Sequence, residues 1–207
     1  MSNSENQIQA RFLAKANAYR LLSACYYEPE QAFLEEDIFD QLEIALTIVN
    51  GQRTGEATRL GTCFRGTDLE VLVLDYTRLF LGPFDILAKP YGSIYLEDDN
   101  IVMGKTTMEA ITLYGEGGFQ IDEAFREVPD HIAVELEFLY LLNFSISEST
   151  EESKRAQLNS LKKTFLAEHL GRWVVPFAKT MRDGANTDFY RYLADVTQRT
   201  VLDDIQE

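Results

Sequence analysis

Apolar residues recur along most of this chain at intervals of three and four, the spacing that lines one face of an α-helix. Phe12, Ala16, Tyr19 and Leu22 predict a helix from about Gln7 to Tyr27, closed by Pro29. Phe33 or Leu34, Ile38, Leu42, Ala45 and Val49 predict a second, from about Gln31 to Val49, with Glu35, Glu36, Asp37, Asp40 and Glu43 on its outer face. Residues 51–67 hold four glycines and little periodicity, and read as a mobile loop. Leu69, Leu72, Val73, Tyr76, Leu79 and Phe80 predict a third helix, Asp68 to Leu81, stopped by Gly82-Pro83. The next twenty residues are the least regular, with a short extended piece expected at Ser93 to Leu96. Thr106 and Glu109 form a capping box that opens a helix to Tyr114, and another is expected from about Asp122 to Glu127.

The stretch Pro129 to Leu142 organises the rest. Ile132, Leu136, Leu139 and Tyr140 fall at helical spacing, and Val134, Phe138, Leu141 and Leu142 widen the stripe until it nearly encircles the segment. A helix apolar almost all round belongs at the centre of a protein. Asp130 suits its N-cap, so Glu127-Val128-Pro129-Asp130-His131 is a polar, proline-stiffened entry to the central helix. A polar joint follows at Ser145 to Glu152, then helices at about Glu151 to Leu170, Trp173 to Met181 with Pro176 inside, and one from Asn186 or Thr187 carrying Phe189, Tyr192, Leu193, Val196 and Val201. The fold class is all-α, a compact bundle of about eight to ten helices. It reads as one domain over residues 1–207, with hinges expected near 126–131 or 144–152.

Charge narrows the partners. Thirty-four acids against 19 bases give a net −15, which disfavours nucleic acid and anionic membrane and favours a cationic partner. Cys25 and Cys63 have no metal-ligand spacing and build no disulfide framework. The polar start, MSNSENQIQA, shows no apolar signal-peptide core, and no apolar run reaches the ~20 residues of a membrane span, so a soluble cytoplasmic protein is expected.

Local chemistry is sparse. Gly104-Lys105-Thr106 matches the tail of a P-loop, but Asp99 stands where the loop needs glycine, and the capping box accounts for Thr106. Glu127, Asp130, His131 and Glu135 suggest metal ligands, yet the paired Glu-x-x-His of a di-iron bundle is missing. No G-x-S-x-G occurs, and neither cysteine has a local signature for activation by histidine. These residues point to a binding protein, with no metal and no catalytic residues. The alternative is a small helical metal- or nucleotide-dependent hydrolase using the Glu127, Asp130 and His131 corner.

Two stretches together carry a family resemblance. Tyr76-x-x-Leu79-Phe80-x-Gly82-Pro83 is followed by Pro90-Tyr91-Gly92-Ser93-Ile94-Tyr95-Leu96, and later by Glu127-x-Pro129-Asp130-His131-Ile132-x-x-Glu135-Leu136-x-Phe138-Leu139. This resembles the TorD/DmsD family of cytoplasmic molybdoenzyme chaperones, related to the NarJ-type assembly proteins. His169-Leu170-x-x-Trp173-x-x-Pro176-Phe177, then Phe189-Tyr190, resembles the family's closing segment. The resemblance implies a TorD-like helical fold and a non-enzymatic chaperone. It also implies binding of the N-terminal, often twin-arginine, signal peptide of a molybdenum-cofactor oxidoreductase subunit, and its retention until the cofactor is inserted. By motif position it nominates Tyr76, Leu79, Phe80, Pro83, Pro90, Tyr91, Glu127, Asp130 and His131 as the peptide-binding surface. It further implies weak guanine-nucleotide binding in some members, and leaves a monomer and a domain-swapped dimer open.

Physical chemistry agrees with that surface. A signal peptide presents arginines ahead of an apolar segment, so a receptor needs carboxylates at one end of an apolar groove. Asp130 and Glu127 would supply the first; Leu79, Phe80 and Tyr91 would supply the second. On this reading Asp130→Ala or His131→Ala weakens peptide binding far more than folding.

Overall fold

The computed structural model describes residues 3–82, 86–97, 102–121 and 127–207. Helix α1 (Asn3–Ala24) lies along α8 (Ile132–Glu148), and this pair makes the most extensive contact in the molecule. α2 (Ala32–Glu35) leads into α3 (Ile38–Val49), which packs on α1, and α4 (Glu56–Arg65) bridges α3 to the last helix. α5 (Leu69–Tyr76) runs into a π-helical turn at Thr77–Leu81, and α6 (Gly92–Leu96) is one short turn. α7 (Lys105–Glu116) packs on α6 and on α9 (Glu152–Phe165), which in turn lies against α8. α10 (Gly171–Gly184) and α11 (Asp188–Ile205) close the bundle as an antiparallel pair. Among the described residues the only extended pairing is a single bridge between Tyr91 and His131. No described helix is long and apolar enough to cross a membrane.

The expected central helix is central. Ile132, Ala133, Leu136, Leu139 and Leu142 are wholly buried, and the helix runs on to Glu148, so the joint after it shrinks to Ser149–Glu151. Ile146 and Ser147, read as part of that joint, are buried on the same helix.

Four local expectations differ, three of them where a distant carboxylate caps a helix start. The second helix is broken at Asp37, which adopts a left-handed φ of 51°, a conformation aspartate tolerates better than most residues. The break lets Phe33, Ile38 and Phe39 all reach the core. The glycine-rich stretch is not a loop but contains α4, because the Glu43 carboxylate accepts the backbone N–H groups of Gly55, Ala57 (3.0 Å) and Thr58 (3.0 Å) at its start. Ser93 to Leu96 is helical rather than extended. The Thr106–Glu109 box does not form: Glu97 accepts the Thr106 N–H (2.7 Å) and hydroxyl, while Glu109 pairs with Lys105. The helix expected at Asp122 to Glu127 falls largely on residues 122–126, outside those described.

The long helix expected at 151–170 also splits, into α9 and a π turn at Leu166–Leu170. At its end a Cβ on Gly171 would sit 2.3 Å from the Leu166 carbonyl oxygen, so the turn admits only glycine there.

Candidate functional site

The two motif loops are tied to each other. Gly92 N–H donates to the Asp130 carbonyl (2.9 Å) and Ile132 N–H to the Pro90 carbonyl (2.8 Å), laying 90–92 antiparallel to 130–132. The Tyr114 hydroxyl donates to the Pro129 carbonyl at 2.8 Å and holds the corner against α7. Asp130, wholly buried, does not cap its own helix; its carboxylate accepts the Ser93 N–H (2.7 Å) in the first turn of α6. His131 caps α8 instead, its Nδ1 accepting the Ala133 N–H at 3.1 Å. Burial lowers its pKa to about 4, so the ring is neutral at pH 7, as an accepting nitrogen requires. The Tyr91 ring meets the His131 ring edge-on at 5.5 Å.

Beneath this knot lies a second polar layer. Glu135, wholly buried, accepts from Trp173 Nε1 (3.1 Å) and bonds His169 Nε2 (2.8 Å), joining α8 to α10. Trp173 stacks on Tyr95 of α6 with centroids 5.8 Å apart. Gly92 is what lets α6 close over them: a Cβ there would lie 3.0 Å from Trp173 Nε1 and 3.1 Å from Glu135 Oε1.

The nominated residues therefore separate into three groups. Leu79 and Phe80 are core: Leu79 is fully buried, and Phe80 meets Tyr26, Tyr76, Phe177 and Tyr190 ring to ring, so neither has the exposure a groove wall needs. Pro90, Asp130 and His131 are buried in the knot and position the surface rather than form it. Tyr91 and Glu127 reach solvent, whereas Tyr76 is 8% exposed and packs in the core beneath them. Pro83 lies outside the described residues. Asp130→Ala is accordingly expected to cost about 2 kcal/mol of stability, for an uncapped α6 and a stranded N–H. A urea midpoint equal to that of wild type would show that the Ser93 contact contributes nothing.

Around Tyr91 the surface gathers tyrosines and glutamates. Burial and then Glu127 and Glu28 push the Tyr76 hydroxyl up to about 12. Burial followed by Glu127 and Asp130 raises that of Tyr91, and burial followed by Glu137 and Glu127 raises that of Tyr27. Tyr27, Tyr76 and Tyr91 thus share one negative field from Glu28, Glu127 and Glu137, three exposed carboxylates. Tyr27, Glu28 and Glu137 were not nominated. Their signals were a Tyr-Glu-Pro helix exit and an outward acid in the apolar first half of the central helix.

Among the described residues no three His, Cys, Asp or Glu converge as a metal would require. Asp130 and His131 are both buried and each gives an acceptor atom to a backbone amide, so neither stands open to a substrate as the hydrolase reading requires. At the Gly104-Lys105-Thr106 stretch the helix N-terminus is filled by Glu97, so a phosphate would have to displace that carboxylate.

The sequence profile of the nitrate reductase delta subunit family matches residues 51–179, well over half of the chain. The chain belongs to the nitrate reductase delta subunit family. That match spans both motif loops and the Glu135–His169–Trp173 layer; Tyr27 and Glu28 lie outside it. Among relatives, the chaperone protein TorD of Photobacterium profundum is 33% identical over 125 residues, covering 60% of this chain and 57% of that protein. TorD of Aliivibrio salmonicida is 26% identical over 195 residues, covering 89% and 90%. The Tat proofreading chaperone DmsD of Salmonella typhi is 28% identical over 138 residues, covering 67% and 62%. In the Photobacterium protein the similarity thus spans just over half the relative's length. A crystal structure from Archaeoglobus fulgidus, described as a candidate redox enzyme maturation protein, shares the fold with a TM-score of 0.56 at 22% identity, covering 89% of this family member and 91% of that chain.

Proposed function

We propose that this protein is a cytoplasmic chaperone for a molybdenum-cofactor oxidoreductase subunit, binding the subunit's N-terminal twin-arginine signal peptide and assisting folding and cofactor insertion before export. Similarity to TorD and to a Tat proofreading chaperone supports the class. The observation that carries the peptide reading is the tyrosine–glutamate surface around Tyr91. Guanidinium groups stack on tyrosine faces and pair with carboxylates through two parallel bonds, and a lysine ammonium does neither as well. The net charge of −15 adds long-range attraction for a basic segment.

Calorimetry with a synthetic twin-arginine signal peptide tests this. The double reversal Glu28→Lys with Glu127→Lys is expected to weaken binding by about 30-fold or more, through loss of two charge-assisted contacts and new repulsion. Because both side chains are exposed, the urea midpoint should stay near that of wild type. Equal affinity for a peptide with both arginines changed to glutamine would overturn the reading. Retention of a molybdoenzyme catalytic subunit still carrying its signal peptide, on tagged protein from anaerobically grown cells, would name the client.

A further inference from the structure

Beside the tyrosine–glutamate surface, α8 leaves one face open. Tyr114, Phe119 and Ile121 form one wall of a recess, and Val134, Phe138 and Leu141 of α8 form the other, enclosing about 240 Å³. Phe138 joins the two walls, packing between the rings of Tyr114 (4.6 Å) and Phe119 (6.0 Å). Glu137 is the single charged residue of this lining. Farther along, Tyr140 and the 40%-exposed Phe144 extend the same face, with their rings 6.0 Å apart. Glu137, Tyr140, Leu141 and Phe144 stand at i, i+3, i+4 and i+7, so the most buried helix of the bundle carries a stripe, apolar but for Glu137, on which Tyr140 and Leu141 are half-buried and Phe144 is open.

We infer that this recess and stripe seat the apolar segment that follows the cationic residues of the bound peptide. The inference rests on the peptide reading above. Two features select that occupant. Glu137 belongs to both surfaces: it lines the recess, and the Ser23 hydroxyl donates to the Ala133 carbonyl (2.8 Å), which sets the end of α1 that leads into Tyr27 and Glu28 against the first turns of α8, so the acidic patch borders the apolar face. The recess also presents no cation of its own, which disfavours an anionic lipid or nucleic acid and favours a ligand whose only charge near this edge is positive. From Glu137 to Phe144 the face is about 10 Å long at 1.5 Å per residue, room for two turns of an apolar helix or a short extended run. Arginines held at Glu127, Glu28 and Glu137 would deliver the following residues onto Leu141 and Phe144.

Three fluorescein-labelled peptides separate the two claims: a twin-arginine peptide with its apolar segment, the same peptide with that segment changed to serine, and one with both arginines changed to glutamine. Wild-type protein is expected to bind the first about 10-fold more tightly than the second, the worth of one or two buried aliphatic side chains. Phe144→Ser and Leu141→Ser should each erase most of that preference and leave affinity for the serine peptide unchanged. Phe144 is exposed enough that its variant should melt with wild type, which keeps the result readable if Leu141→Ser loses stability. If arginine-dependent binding persists while both variants treat the first two peptides as wild type does, the groove assignment is overturned and the acidic patch stands. If no peptide binding depends on arginine, both are overturned. Should the variants instead change the sedimentation of the free protein without touching peptide affinity, the face is filled by a second copy of the chain and the assignment is likewise overturned.

Discussion

Asp204→Ala is expected to lower the melting temperature by about 10 °C, from a loss of about 3–5 kcal/mol. Two ammonium groups converge on this one buried carboxylate, Lys15 at 2.5 Å and Lys162 at 3.0 Å, and the Tyr19 hydroxyl donates to its other oxygen at 3.0 Å. Both lysines are themselves buried, so removing the acid strands Lys162 in the junction of α1, α9 and α11 and leaves Lys15 with Glu207 (2.6 Å) as its one carboxylate partner. Changing Lys162 to Met as well as Asp204 to Leu should cost less than the single change, since one stranded charge goes with its partner. Burial by itself raises the Asp204 pKa, but Lys162 and Lys15 outweigh it and hold the carboxyl below the usual range. A lowered folded value means stabilisation complete above the unfolded carboxylate pKa of about 4 and lost as pH falls through the folded value. The gap between wild type and Asp204→Ala should therefore narrow in acid. A gap as wide at pH ~3 as at pH ~7 would refute the ion-pair account.

Glu135→Ala should be nearly as damaging, at about 3–5 kcal/mol, because it leaves the His169 and Trp173 nitrogens without an acceptor in a dry core. Glu135→Gln keeps the shape and two weaker bonds and should cost less. Burial alone would lower the His169 pKa, but the Glu135 carboxylate raises it above the ordinary value; Glu135 is itself raised, chiefly by burial, with His169 opposing. Both net shifts are upward, so the stabilisation from His169 is fully present below its unfolded pKa of about 6.5 and lost as pH rises through the folded value. Trp173, the single tryptophan, reports unfolding directly. The wild-type urea midpoint should fall above pH ~6.5 and that of Glu135→Gln should not; a flat wild-type profile would mean that His169 is not charged in the fold.

The helices were legible wherever periodicity alone decided them. α1, α7 and α11 lie within a few residues of their expected bounds, and α8 begins where the Pro-Asp-His corner announced it. What could not be read was capping across distance. Glu43, Glu97 and Asp130 each serve a helix other than the one their sequence neighbours suggest, and a local rule assigns a carboxylate to the nearest helix start. The site shows the same limit. Tyr76, Tyr91 and Glu127 were placed by motif, whereas Tyr27, Glu28 and Glu137 join them only because α1 lies along α8. Leu79 and Phe80 fit either a groove or a core at helical spacing, and tertiary packing chose the core.

The reciprocal bonding of 90–93 with 128–132 has a practical consequence for anyone exchanging client preference between related proteins. A graft of either loop alone sets a foreign backbone against Gly92, the Asp130 carboxylate and the Trp173 ring, and the recipient loses its surface through a misfit one layer below it. The transplantable unit is the pair, moved as one cassette although 37 positions separate its two halves in the chain.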